Sequence, residues 1–361
     1  MSKFNTASCA IRHNHVLLRV HSVRIELSTS LRPPEDTLNK NRLRHITAAA
    51  AIAGLTLTAT GCSVSSRAAE GYPTKPVTFL VPYAAGGPSD TTARAYSSCL
   101  EKLLGGTFVV ENRDSGAGAV AMQKLASAKP DGHTVGLSTN GPLVLNPMSN
   151  ELTYSQADFQ AMGTMAEIPT LFAVPKDSPY KSLQDLFDAA KADPGQISIG
   201  VPGATSSLAI ELKRLQKDTG IELAMVPTSG SAELITNLLG GHIDAGFVND
   251  HVDVEAQVKD GAIVPLAAAG DVRSEAFPDV PTTDEAGYDV KTTSVYGLFG
   301  PKGLPQDVSE KLQKGVKTCS QDKDVIAQIG DRFVPDSFLD AAATTEVFQD
   351  MRARYESLLA K

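Results

Sequence analysis

Beyond residue 72 the apolar positions fall into short blocks that alternate between two periods. Lys75 to Tyr83 is a short, mostly apolar run bounded by prolines, which predicts a buried strand. A glycine turn follows, and then Ala93, Ala95, Leu100, Leu103 and Leu104 fall on one helical face, predicting a helix over 90–104 that Gly105-Gly106 stops. The same reading predicts strands at 108–110, 134–138, 172–175, 197–201, 225–226, 243–248, 263–268 and 296–299. Between them it predicts helices at 118–128, 183–192, 206–219, 232–239, 308–318 and 344–359. Such βα repetition argues for open α/β sheets, and about 290 residues suit two of them better than one. The late elements read as a return to the first sheet, giving lobe 1 as 73–173 with 275–361 and lobe 2 as 174–274.

The N-terminal segment has a different character. Its first 61 residues hold 8 of the 33 Lys and Arg but only 3 of the 41 Asp and Glu. Lys40, Arg42 and Arg44 precede an apolar run from Ile46 to Ala59 that ends in Thr60-Gly61-Cys62, the pattern of an export signal. The run falls short of the roughly 20 residues a membrane span needs. Small residues directly before Cys62 resemble a lipobox, whose cysteine is acylated and becomes the mature N-terminus. Plain cleavage near Gly61 is the alternative. Residues 62–72 then read as a tether. Residues 1–37 lie ahead of the signal without periodicity, and Leu38 stands where a translation start would suit it.

Beyond Cys62 remain 25 of the basic and 38 of the acidic residues, a formal charge of −13. That balance disfavours nucleic acid, whose binding rests on Lys and Arg neutralising phosphates. An anionic ligand must instead be held by local dipoles. Cys99 and Cys319 are the only cysteines beyond Cys62; they read either as a disulfide of an oxidising compartment or as two buried thiols.

Four turns at predicted strand ends carry the candidate chemistry. Tyr83-Ala84-Ala85-Gly86-Gly87-Pro88-Ser89-Asp90 combines glycines that can aim N–H groups inward, a proline suited to the first helical position, and an acid able to reach back to the turn. Ser138-Thr139-Asn140-Gly141, Gly203-Ala204-Thr205-Ser206-Ser207 and Thr228-Ser229-Gly230-Ser231 repeat the theme. Taken singly each is an ordinary N-cap; converging, they would hold one small polar ligand. Histidines 133, 242 and 251 show no metal-ligand spacing, and neither a Walker loop nor a nucleophile elbow occurs. His133 reads as a turn residue and His242 as a solvated residue after a helix; His251, near Asn249 and Asp250 at a strand end, is the one histidine not dismissed, though it has no visible nucleophile partner.

In these segments the chain resembles the extracytoplasmic receptors of tripartite tricarboxylate transporters, the Bug family, over essentially all of 72–361. The marks are Tyr72-Pro73-Thr74-Lys75-Pro76, Val81-Pro82-Tyr83 with Gly86-Gly87-Pro88-Ser89-Asp90, Glu111-Asn112-Arg113, Lys129-Pro130-Asp131-Gly132-His133-Thr134, Leu239-Gly240-Gly241-His242-Ile243-Asp244, Phe277-Pro278-Asp279-Val280-Pro281 and Gly300-Pro301-Lys302-Gly303-Leu304-Pro305. The resemblance implies a two-lobed type II periplasmic-binding-protein fold hinged on two crossovers, a small organic acid as ligand, no cofactor, and membrane transporter subunits as partners. It places ligand contacts at Tyr83, Ala84, Gly86, Gly87, Ser89, Asp90, Thr139 and Asn140 in lobe 1. In lobe 2 it places them at Ala204, Thr205, Ser206, Thr228, Ser229 and Asn249. Val248 stands where several relatives have an acid, which argues against an amino-acid ligand unless Asp250 substitutes. The expectation is a monomeric, lipid-anchored transport receptor, with a ligand-presenting sensor subunit or an exported α/β enzyme as alternatives.

Overall fold

The computed structural model describes residues 71–335 and 337–359, so the expected export signal and Cys62 lie outside the described residues. The first elements are β1 (Val77–Val81), α1 (Pro88–Leu104), β2 (Phe108–Asn112), α2 (Ala119–Ala126) and β3 (Thr134–Ser138). A π-helical turn over Gly141–Leu145 runs into the short α3 (Asn146–Ser149), and a long strand β4 (Phe159–Pro175) follows. Next come α4 (Leu183–Ala192), β5 (Ser198–Val201), α5 (Ser207–Thr219), β6 (Ala224–Pro227), α6 (Ser231–Leu239), β7 (Ala245–Asn249), α7 (Val252–Lys259) and β8 (Ile263–Ala268). The chain closes with β9 (Thr293–Pro301), α8 (Gln306–Cys319), α9 (Lys323–Ile329) and α10 (Ala341–Leu359).

The strands run in the order β2-β1-β3-β9-β4-β7-β5-β6, with β8 also on β4. β4 belongs to both halves. Its first part pairs antiparallel with β9, from Phe159 opposite Pro301 to Pro169 opposite Thr293. Its second part pairs antiparallel with β7 and β8. Within each half the strands joined through helices are parallel, β1 with β2 and β3, and β5 with β6 and β7. Only the end of β4 was legible as a strand. Its earlier stretch shifts register twice against β9, between Ala161 and Gly163 and between Thr164 and Ala166, and such bulges scramble the alternation that marks a strand.

Each half has its own core. Phe79, Val81, Tyr96, Leu100, Leu298, Leu312 and Phe333 pack in the first. Phe172, Phe187, Ile199, Leu212, Phe247, Tyr288 and Val290 pack in the second. There Phe172 stacks on Phe247 with centroids 4.2 Å apart, worth roughly 0.5–1.5 kcal/mol beyond the area buried. Tyr288 and Val290 belong to this second core and Phe277 to its satellite, so the chain returns to the first half near Thr293, later than the boundary at 275. The reason is packing: the segment between β8 and β9 folds back on β8, where Thr282 bridges Ala268, before it crosses. Cys99 on α1 and Cys319 at the end of α8 are joined, with Cα atoms 5.8 Å apart. No described helix is long and apolar enough to cross a membrane.

Candidate ligand-binding cleft

The two halves meet where helices begin. The turn after β1 places Gly87 as the N-cap of α1, with Pro88 at the first helical position. Gly86 has φ +87, a left-handed conformation that a side chain would strain. Its N–H donates to Asp90 Oδ2 at 3.0 Å, and Arg94 Nε donates to the same oxygen at 2.9 Å. Burial pushes the Asp90 carboxyl up, but the bonds from Arg94 and Gly86 outweigh it and hold it below the usual carboxylate range. The acid therefore stays ionised and fixes the turn.

The second half repeats the device. Before α6, the Ser229 N–H and Oγ donate to Glu233 Oε2 at 2.7 and 2.6 Å. These bonds lower the Glu233 carboxyl in turn. The two locked turns touch, because Ala84 N–H donates to the Ser229 carbonyl at 3.3 Å and a Cβ on Gly87 would lie 3.7 Å from Ser231.

Between them lies an enclosed cavity of about 20 Å³. Tyr83, Gly87, Ser89, Thr139 and Tyr296 line it from the first half, and Ser206, Ser207, Leu208, Ser231 and Asn249 from the second. No ionisable acid or base lines it apart from two tyrosines. Burial raises the Tyr83 phenol to about 12 even though its bond to Thr139 Oγ1, 2.8 Å, pulls the other way. Burial also drives the Tyr296 phenol up. Both hydroxyls therefore keep their protons at neutral pH and can donate.

The N-terminus of α5 closes one side. Ser206 caps it, accepting from Ala209 N–H at 3.1 Å. Unlike α1, α6 and α7, this helix has no acidic residue in its first turn. Its positive end, roughly half a unit charge, therefore faces the cavity without a carboxylate of its own. Glu211, one turn further on, is fully buried and takes Arg214 at 2.8 Å and Arg354 at 3.3 Å. Hydroxyls, backbone donors and a helix terminus without an acid, with no competing side-chain charge, are the chemistry that suits an anion.

The sequence profile described as "Tripartite tricarboxylate transporter family receptor" matches residues 92–361. The chain belongs to that receptor family. A curated relative from Agrobacterium vitis, the UPF0065 protein in the TAR-I ttuE-ttuC' intergenic region, is 31% identical over 304 residues, covering 84% of this chain and 88% of the relative. Among solved structures, MatC from Rhodopseudomonas palustris with bound malate superposes with a TM-score of 0.74 at 26% identity, covering 80% of this chain and 99% of MatC. A second R. palustris protein, solved with adipate, gives a TM-score of 0.71 at 26% identity and covers 80% and 97%. The receptor's fold is accordingly the two-lobed periplasmic-binding-protein fold, the first half being lobe 1 and the second lobe 2.

All but two of the expected contacts divide among three places in this receptor. Tyr83, Ala84, Gly87, Ser89, Thr139, Ser206 and Asn249 come together at the enclosed cavity. Ala204, Thr205, Thr228 and Ser229 line an outer cleft of about 200 Å³, which Tyr83 and Ser206 separate from it. Gly86 lines a third pocket. Asp90 locks the turn from behind, and Asn140 ties β3 to β9 by donating to the Thr293 carbonyl at 3.2 Å and accepting from Val295 N–H at 3.4 Å. Neither lines a pocket described here. Asp250 takes no part in the cavity, being held by Arg332 and Ser274.

Ser207 and Ser231 lie in the candidate turns but outside the expected contacts, and Pro202, Leu208, Ser294 and Tyr296 were missed. Leu208 directly follows the Gly203–Ser207 turn and was open to the same argument. Ser294 and Tyr296 sit on β9, 45 or more positions from their lobe 2 neighbours in the cavity, and no local pattern marks them. Among the described residues no cluster of His, Cys, Asp and Glu could hold a metal ion.

Proposed function

We propose that this receptor captures a small organic acid between its lobes outside the cytoplasm and delivers it to the membrane subunits of a tripartite tricarboxylate-type transporter. One observation carries the reading: the N-terminus of α5, which has no acid in its first turn, and the hydroxyls of Ser89, Thr139 and Tyr83 converge on a cavity without a charged side chain. A carboxylate there gains charge-assisted hydrogen bonds from groups already oriented by their helices. Malate in MatC and adipate in its relative support the same ligand class. The cavity of about 20 Å³ holds little more than one water molecule, so entry requires the lobes to part and a bound acid to separate them slightly.

The test is a thermal-shift screen of carboxylic acids followed by calorimetry. A ligand at a hundredfold its Kd raises apparent stability by about 2.7 kcal/mol. No response to any mono-, di- or tricarboxylate would remove the reading. The proposal extends to the N-terminus: cleavage before Cys62 and its acylation would anchor a monomeric receptor to the membrane by its tether. Mass spectrometry of the mature N-terminus tests this, and an unmodified Cys62 in membrane-fractionated protein would exclude it.

A further inference from the structure

Around the ligand cavity the lobes approach each other backbone to backbone. At one crossing, Ala84 N–H of lobe 1 donates to the Ser229 carbonyl of lobe 2 at 3.3 Å. Glycines leave some room there: a Cβ on Gly87 would lie 3.7 Å from the Ala232 nitrogen, and one on Gly230 3.7 Å from the Ala84 nitrogen. Another crossing is tighter. Gly141 opens the π-helical turn after β3 and is buried. A Cβ there would stand 3.2 Å from the Ser206 Cα and 3.2 Å from the Thr205 carbonyl oxygen, both in lobe 2. Carbon atoms at rest sit about 3.5–4.0 Å apart, so the fit exists only because residue 141 has no side chain. Thr205 and Ser206 meet it with main-chain atoms just before α5, which cannot turn aside as a side-chain tip can.

Local backbone gives residue 141 one other reason to be glycine. Its φ lies outside the left-handed region, so that conformation does not require glycine. It does precede Pro142, and proline disfavours helical backbone in a preceding residue that carries a Cβ.

The place of the contact matters for the ligand. Ser206 and Tyr83, whose hydroxyl would lie 3.4 Å from the same Cβ, divide the enclosed cavity from the outer cleft. Lobes that meet at Gly141 leave about 20 Å³ in that cavity. A small acid is gripped from both sides only when the lobes close nearly this far, whereas a larger one holds them apart before Gly141 reaches Ser206.

We infer that Gly141 is a closure stop: it sets how far the lobes approach and, through that, the smallest acid that both can grip. This deepens the proposed carboxylate-receptor reading and rests on it. A Cβ at this position raises the energy of the closed form, and affinity falls only by as much as a given complex needs that form. The loss therefore depends on ligand size, which a general weakening of the fold would not produce.

The test is calorimetric titration of the wild type, Pro142→Ala, Gly141→Ala and the double variant Gly141→Ala/Pro142→Ala with acetate to hexanoate, malonate to adipate, and citrate. The double variant keeps the added Cβ but removes the proline that would strain it. Both forms with Gly141→Ala should lose about tenfold on the smallest acid that the wild type binds, the scale of one overpacked methyl, and progressively less on larger acids. Pro142→Ala should keep the wild-type order of affinities. A loss equal for all acids, a loss that disappears in the double variant, or no loss would overturn the inference while the carboxylate reading stands. If none of these acids binds the wild type, the carboxylate reading fails and the closure stop with it.

Discussion

At the level of single residues, Asp90 shows how a carboxylate outside the cavity can fix a turn that lines it. Its Oδ2 accepts from Gly86 and from Arg94, so the turn that aims the Ser89 and Gly87 backbone inward depends on one ionised group. Asp90→Ala should free Gly86 and lower acid affinity about tenfold, the loss of one charge-assisted hydrogen bond, read by calorimetry. The pH dependence has a definite sign. The Asp90 carboxyl lies below its usual value in the folded protein, so its contribution is present above the normal carboxylate pKa and is lost as pH falls through the lowered one. Thermal unfolding of the unliganded receptor should therefore show an acid-side loss of stability that is smaller in Asp90→Asn. An unchanged acid limb would show that the turn does not depend on that charge.

Helices and strands carry a different lesson. The α/β alternation, the turns before α1, α5 and α6, and most element positions were legible, because buried strands and amphipathic helices imprint their periods directly on the sequence. Other features were not. β4 serves two sheets and is bulged, so much of its length has no clean alternation. α7 buries only Val254, too little to impress an apolar stripe. The β9 contribution to the cavity, Ser294 and Tyr296, arises only once the chain has returned from lobe 2. The late return itself was hidden because Phe277, Tyr288 and Val290 pack without helical or strand spacing.

The Cys99–Cys319 link belongs to this level too, since it joins α1, which begins at the cavity, to α8 on the same lobe. Replacing both cysteines with alanine should lower stability by about 2–5 kcal/mol, read by denaturant unfolding against the oxidised parent. The loop it closes spans 220 residues and includes lobe 2, which places the expected effect toward the upper end.

For the whole molecule, the question is what holds the lobes together. Beside the cavity, Ser294 Oγ on β9 donates to Asn249 Oδ1 at 2.7 Å. The next residue in the chain, Asp250, is almost completely buried and accepts from Arg332 through both oxygens, at 2.9 and 2.8 Å. Arg332 also reaches Glu255 and lies over the Phe333 ring, which packs in the lobe 1 core and stacks on His251 of lobe 2. Consecutive residues of lobe 2 thus touch the ligand cavity and the lobe 1 arginine. Removing one partner of a buried ion pair costs about 3–5 kcal/mol, because the remaining charge is stranded away from water. Here the molecule has an escape, since parting the lobes would let water reach Asp250. Arg332→Met should therefore favour the open form: a larger radius of gyration by small-angle scattering without ligand, weaker acid binding, and a return to the compact form at saturating ligand. The double variant Arg332→Met/Asp250→Asn, with no charge to strand, should recover part of the lost affinity. A ligand can shift closure only by as much as it prefers the closed form, so equal scattering and equal affinity in the single variant would mean the arginine is indifferent to lobe position.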